Sequence, residues 1–160
     1  MKGGQVNEEV VKMAGIVVGV DGSANARGAL EWAVKEAAIR QAPLTVLTVH
    51  EVARSFWTGI PITYPEDEAL LDKARAAARE LTDKAMTQLG DRTPASVTVD
   101  AINGFAAKEL INASQRADIV VVGARGGAHA DGLAYQPFGS VSNKLVHHAA
   151  CPVVVVPASE

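Results

Sequence analysis

Cysteine is nearly absent: Cys151 is the single one in 160 residues. It can form neither an internal disulfide nor a cysteine metal cluster, which suits a reducing compartment, and ahead of Pro152 it reads as a small buried apolar residue. Aromatics are scarce as well, with three Phe, two Trp and two Tyr. Phe56, Trp57 and Tyr64 fall in the stretch from Glu51 to Tyr64, which has no clear period. Packing against a sheet is the favoured reading of these rings, ahead of a flap over a ligand. No basic block exists: 15 Lys+Arg stand against 18 Asp+Glu, for a net charge of -3. That balance argues against a nucleic-acid partner, whose phosphate backbone demands clustered cations. No apolar run approaches membrane-spanning length, and the first residues lack the apolar segment of a signal peptide. The expectation is a soluble, cytoplasmic protein with no membrane partner, a flexible polar leader over 1–13 and one domain over 14–160. Three catalytic signatures are also missing, namely Gly-x4-Gly-Lys-Ser/Thr, His-Glu-x2-His and Gly-x-Ser-x-Gly. No catalytic residue is therefore assigned.

What is present is apolar and periodic, with 48% hydrophobic residues, enough for a sizeable core. Gly15 to Val20 is a continuous apolar run of strand length, of the kind buried on both faces of a parallel sheet, and it ends at Asp21-Gly22-Ser23. Ala24 to Arg40 repeats apolar residues at helical spacing and is stopped by Pro43. Leu44 to His50 is a second strand. Pro65, followed by Glu66, Asp67 and Glu68, opens a helix that runs to Leu89 and stops at Gly90. Its inward face is expected to be Ala74, Ala77, Ala78, Leu81 and Ala85, with Arg75, Arg79 and Lys84 solvated. Ser96 to Asn103 is a third strand, Phe105 to Ala117 a third helix and Ile119 to Val122 a fourth strand. Ser140 to Ala149 is the last helix, and the valines 153 to 156 form a fifth strand between prolines.

Strands alternating with helices predict an α/β fold, an open five-stranded parallel sheet of order 3-2-1-4-5 with helices on both faces, Rossmann-like. Ligands of such sheets sit at the carboxyl ends of the strands, where the winding reverses. Here that point lies between the first strand, ending Gly19-Val20-Asp21, and the fourth, ending Val122-Gly123-Ala124-Arg125-Gly126. Glycines there permit positive φ and close backbone approach, and Gly139-Ser140-Val141 opens a helix whose free N–H groups favour an anion such as phosphate. Asp21 suits a ribose hydroxyl better than a metal ion, and its structural alternative is to cap the following helix, a role for which Ser23 competes. Adjacent His147 and His148 diverge on a helix, so structural roles are expected of them. Val153 to Val156 at the sheet edge predicts a homodimer through that strand.

The segments Val18 to Ser23, Ala117 to Gly126, and Gly139-Ser140-Val141 through Cys151-Pro152-Val153 resemble the universal stress protein family, over Gly15 to Pro157. In that family's ATP-binding branch Gly-x2-Gly is followed, nine residues on, by Gly-Ser or Gly-Thr. The resemblance implies that Gly123, Gly126, Gly139 and Ser140 surround the triphosphate and ribose, with Val141 contributing a backbone amide. It also implies that Asp21 lies beside the nucleoside and that Val49 meets adenine through its backbone. Gly19, Val20 and Val122 belong to the same strand ends, and Arg125 can reach phosphate oxygens. Two departures stand out. Twelve residues, Gly127 to Phe138, separate Gly126 from Gly139, and this longer loop is expected to be a mobile lid. Gly104-Phe105-Ala106 replaces a Gly-x-Pro turn. The implied function is a stress-response or signalling module that binds an adenine nucleotide, ATP first, with or without Mg2+. Hydrolysis is expected to be slow at most. The competing readings are a slow ATP hydrolase and a member without nucleotide that acts through protein contacts.

Overall fold

The computed structural model describes residues 15–124 and 139–158. The expected leader over 1–13, Arg125, Gly126 and the loop 127–138 lie outside the described residues. In chain order the elements are β1 (Ile16–Val20), α1 (Ala24–Arg40), β2 (Pro43–Glu51), β3 (Ala53–Arg54), β4 (Pro61–Ile62), α2 (Pro65–Thr87), β5 (Ser96–Gly104), α3 (Ala106–Ser114), β6 (Ile119–Gly123), α4 (Ser140–His148) and β7 (Val153–Val156). Five strands form one parallel sheet in the order β5-β2-β1-β6-β7. With the short antiparallel β3–β4 pair set aside, this is the expected 3-2-1-4-5 order.

The sheet's continuous apolar runs follow from burial on both faces. Ile16, Val18 and Val20 pack with Leu44, Val46, Ile119 and Val121 beneath α1 and α2. The alternate residues Val17, Leu47, Val120 and Val122 pack with Leu110 of α3 and Leu145 of α4 on the other side. Period-2 alternation sends each strand's residues to opposite faces, and since helices cover both, neither face is polar. Ala29, Leu30, Ala33, Val34 and Ala37 of α1 are all wholly buried, the small side chains letting the helix settle close on the sheet. The Ser23 hydroxyl caps α1 by accepting from the Ala26 N–H at 3.2 Å, and Gln41, in the left-handed region at φ 51°, ends it before Pro43 is reached.

Several expectations need correction. The aromatic stretch does not pack on the sheet: Phe56 and Trp57 are 92% and 89% exposed, and Tyr64 is exposed too. The segment folds on itself instead. Ser55 N–H donates to Ile60 O and Gly59 N–H to Ser55 O, both at 2.9 Å. The Phe56 and Trp57 rings meet edge to face with centroids 5.5 Å apart. A hairpin that satisfies its own backbone groups has no need of the sheet. On α2, Ala77 is exposed, while Arg75 is half-buried and donates to the Ala101 carbonyl at 3.3 Å. Helix α3 stops at Ser114, whose hydroxyl donates to Ile111 O at 2.6 Å and accepts from the Ala150 N–H at 2.8 Å. That pair of bonds ties α3 to the turn before β7.

Candidate functional site

At the carboxyl ends of β1 and β6 the chain leaves the sheet toward opposite faces, to α1 and toward α4 respectively. A crevice of about 680 Å³ opens there, within the size range of small-molecule sites. Gly19, Val20 and Asp21 from the end of β1 line it, as do Val49 from β2, Val122 and Gly123 from β6, and Gly139, Ser140 and Val141 from the start of α4. Arg125 and Gly126 lie outside the described residues, so their placement is left to the sequence motif.

Of the two roles expected of the glycines here, positive φ and close backbone approach, Gly123 shows the second, toward α1. Its φ is not positive, and neither is that of Gly139, at −61°. A Cβ on Gly123 would stand 2.9 Å from the Asn25 carbonyl oxygen, so only glycine lets the end of β6 lie against the first turn of α1. Gly19 faces α3, where a Cβ would meet the Leu110 side chain, Cδ1 at 2.8 Å. The glycines therefore bring the end of β6 against the backbone of α1 and the end of β1 against a side chain of α3 around one opening.

The start of α4 is held from below. Gly139 occupies its N-cap position and supplies no side-chain cap. Gly139 N–H donates to Ala124 O, which closes the mouth of the loop. Buried Ser142 donates to Gly139 O at 3.0 Å, with Ala124 O at 3.3 Å as its alternative acceptor. The first N–H groups of any helix lack intrahelical partners, and here no side chain of the N-cap residue covers them, so they offer donors and a partial positive charge to the crevice. By contrast α1, which also starts at the crevice, is capped by Ser23. Asp21 does not cap the helix through Ala26; its Oδ1 accepts the Ser23 N–H at 2.9 Å, which fixes the turn after β1.

Leu47, Glu51, Ala106 and Leu110 also line the crevice and were missed in the sequence. Leu47, Val49 and Glu51 alternate along β2, so extending that strand by one residue would have exposed Glu51. Leu110 and Ala106 come from α3 and have no local signal of a ligand. Among the described lining residues the charged ones are Asp21 and Glu51, both acidic. His147 and His148 are exposed in the last turn of α4, away from the opening. Among the described residues no cluster of three His, Cys, Asp or Glu side chains could hold a metal, and no helix is long and apolar enough to cross a membrane.

Comparison with known proteins agrees with this architecture. The family model described as the universal stress protein family matches residues 13–157. A universal stress protein of Mycobacterium tuberculosis is 36% identical over 148 residues, covering 91% of this chain and 48% of the relative. The chain thus spans about half the length of the curated relatives it matches. Among solved structures, the universal stress protein UspA from Lactobacillus plantarum superposes with a TM-score of 0.69 at 24% identity, covering 91% of this chain and 98% of that one. A universal stress protein from Archaeoglobus fulgidus, solved in complex with dAMP, gives a TM-score of 0.61 at 22% identity, with 89% and 97% covered. With the family model running through every element of the sheet from β1 to β7, the chain belongs to the universal stress protein family.

Proposed function

We propose that this chain is a stress-response and signalling module that binds an adenine nucleotide, ATP in preference, in the crevice between β1 and β6. The observation that carries the reading is the convergence of Asp21, Val49, Gly123 and the uncapped start of α4 on one opening of about 680 Å³. In this reading Asp21 accepts a ribose hydroxyl and the Val49 backbone meets adenine. The N–H groups of Ser140 and Val141 receive phosphate oxygens beside Gly123 and Gly139. Arg125 and Gly126 join them from the phosphate loop. Asp21 would also offer a hard oxygen donor to a magnesium ion that travels with the triphosphate. The dAMP bound to the Archaeoglobus relative supports the choice of an adenine nucleotide. We further propose one nucleotide-binding domain over 14–160 and a homodimer through β7.

Calorimetric titration with ATP tests the reading. The parent chain is expected to bind, and Gly126→Val to lose binding while keeping its fold, since a β-branched side chain fills the space a phosphate needs. Equal affinity in the two proteins would sink the assignment.

A further inference from the structure

Among its described lining residues the crevice offers no cation to an anionic ligand. Its described charged lining is Asp21 and Glu51, whereas a nucleoside triphosphate brings several negative charges. Helix-end N–H groups offset part of that charge. Beside the crevice lies a second cavity of about 340 Å³, which shares Glu51, Ala106, Ser140 and Val141 with it and adds Arg54 and Lys144. The two openings therefore adjoin at the first turn of α4, and the cations of the combined described lining both belong to the smaller one.

Each cation is carried there for a local reason. Lys144 follows Ser140 by four residues and Val141 by three, which puts all three on one side of α4. Arg54 lies in β3 of the hairpin, with its guanidinium carbon 3.8 Å from the centroid of the Phe105 ring. A guanidinium stacked on a ring keeps its in-plane N–H donors free to point at a planar or tetrahedral anion, and the ring limits its rotamers. Phe105 is itself the N-cap of α3 and contributes no side-chain cap, so a second helix start faces the same cavity. Two cations, two helix starts and one acidic group, Glu51, leave the small cavity net positive where the large one is net negative.

We propose that Arg54 and Lys144 form a polyphosphate subsite that makes the crevice favour ATP over AMP. This rests on the reading of the crevice as a nucleotide site and names the residues that select among its ligands by phosphate number. The phosphate nearest the ribose stays at the start of α4, and the distal phosphates pass over Val141 to the guanidinium and ammonium groups. Both cations are exposed, so the selectivity weakens as salt rises.

The test is calorimetric titration of AMP, ATP and inorganic tripolyphosphate, in magnesium-free buffer of low ionic strength, into three proteins. These are the parent, the double variant Arg54→Gln/Lys144→Gln and the charge control Lys35→Gln, which lies on α1 across the sheet. ATP is expected to bind the parent at least about tenfold more tightly than AMP. In the double variant that ratio falls to near one and tripolyphosphate binding is lost, while Lys35→Gln behaves as the parent. An unchanged ATP to AMP ratio in the double variant would overturn the subsite while leaving the nucleotide site standing. Tripolyphosphate binding that depends on Arg54 and Lys144, in a parent that takes up no adenine nucleotide, would support the subsite and overturn the nucleotide reading. A parent that binds none of the three ligands overturns both.

Discussion

His50 Nε2 lies 2.8 Å from Asp67 Oδ1, which ties the carboxyl end of β2 to the first turn of α2. Val49 and Glu51, the neighbours of His50 in sequence, line the crevice on the opposite face of the strand. One wall of the site is thus braced from behind by a side-chain pair that never enters it. The second oxygen of the Asp67 carboxylate accepts the Tyr64 N–H, so the same group also opens α2.

These bonds give a pH dependence. The Tyr64 N–H, and then the His50 ring, hold the Asp67 carboxyl below its usual value of 3.8. A carboxyl that titrates lower in the folded than in the unfolded chain stabilises the fold above its unfolded value, and the gain disappears as pH falls through the folded value. Asp67→Ala is therefore expected to melt at a lower temperature than the parent at pH 7. The gap should begin to narrow as pH falls toward 3.8 and close only at lower pH, once the folded parent carboxyl is itself protonated. Thermal melts of both proteins across pH 3 to 7 check this, and a constant gap would contradict it.

Two glycine-to-alanine changes should act in opposite directions. In Gly123→Ala the new methyl meets backbone, the Asn25 carbonyl oxygen at 2.9 Å, which cannot swing aside. The expected loss is about 1–3 kcal/mol, with weaker ligand binding because the end of β6 shifts. In Gly28→Ala the nearest atom, Val156 Cγ1, is 3.8 Å away, and the site is inside α1. Alanine there should add about 0.5–1 kcal/mol by reducing the freedom of the unfolded chain. Urea unfolding of the two variants measures both.

Ser142→Ala removes the buried hydroxyl that holds Gly139 and Ala124 at the mouth of the loop. A cost of about 1 kcal/mol is expected in urea unfolding for the lost side-chain bond, since Ala124 O keeps the Gly139 N–H and Gly139 O the Asn143 N–H. Nucleotide affinity should fall as well, because the start of α4 loses its anchor. An undiminished affinity would mean that Ala124 and Gly139 hold their places without the hydroxyl.

The order of the sheet and the place of the crevice were legible because both rest on local signals. Unbroken valine and isoleucine runs such as Ile119 to Val122 mark strands covered on both faces, and glycines at two strand ends mark the reversal point. The hairpin from Ala53 to Ile62 was not legible, because its stability comes from turn bonds among Ser55, Gly59 and Ile60 and not from any hydrophobic period. Glu51, Leu110 and Arg54 were missed for another reason. Each reaches the site from an element whose own pattern reads as ordinary strand, helix or turn, and only the three-dimensional arrangement brings them beside Val49 and Ser140. For Gly123 the sequence permits both positive φ and close approach, and choosing the second, toward Asn25, needs the position of that residue.

The valines of β7 form a half-buried edge strand. An edge of unpaired N–H and C=O groups and apolar side chains favours pairing with a second copy about a twofold axis. Val155→Lys should shift the mass toward monomer in light scattering while circular dichroism stays that of the parent. A parent that is monomeric at micromolar concentration would contradict the dimer.

The central claim is that one crevice, built from β1, β2, β6 and the start of α4, receives an adenine nucleotide. Amide chemical shifts of the 15N-labelled parent during titration with ATP test it most directly. Saturable shifts are expected for Gly19 to Ser23, Val49 to Glu51, Gly123 and Ser140 to Ser142, with β7 and the hairpin tip at Phe56 and Trp57 unmoved. Shifts confined to other surfaces, or none at saturating ATP, would contradict the account.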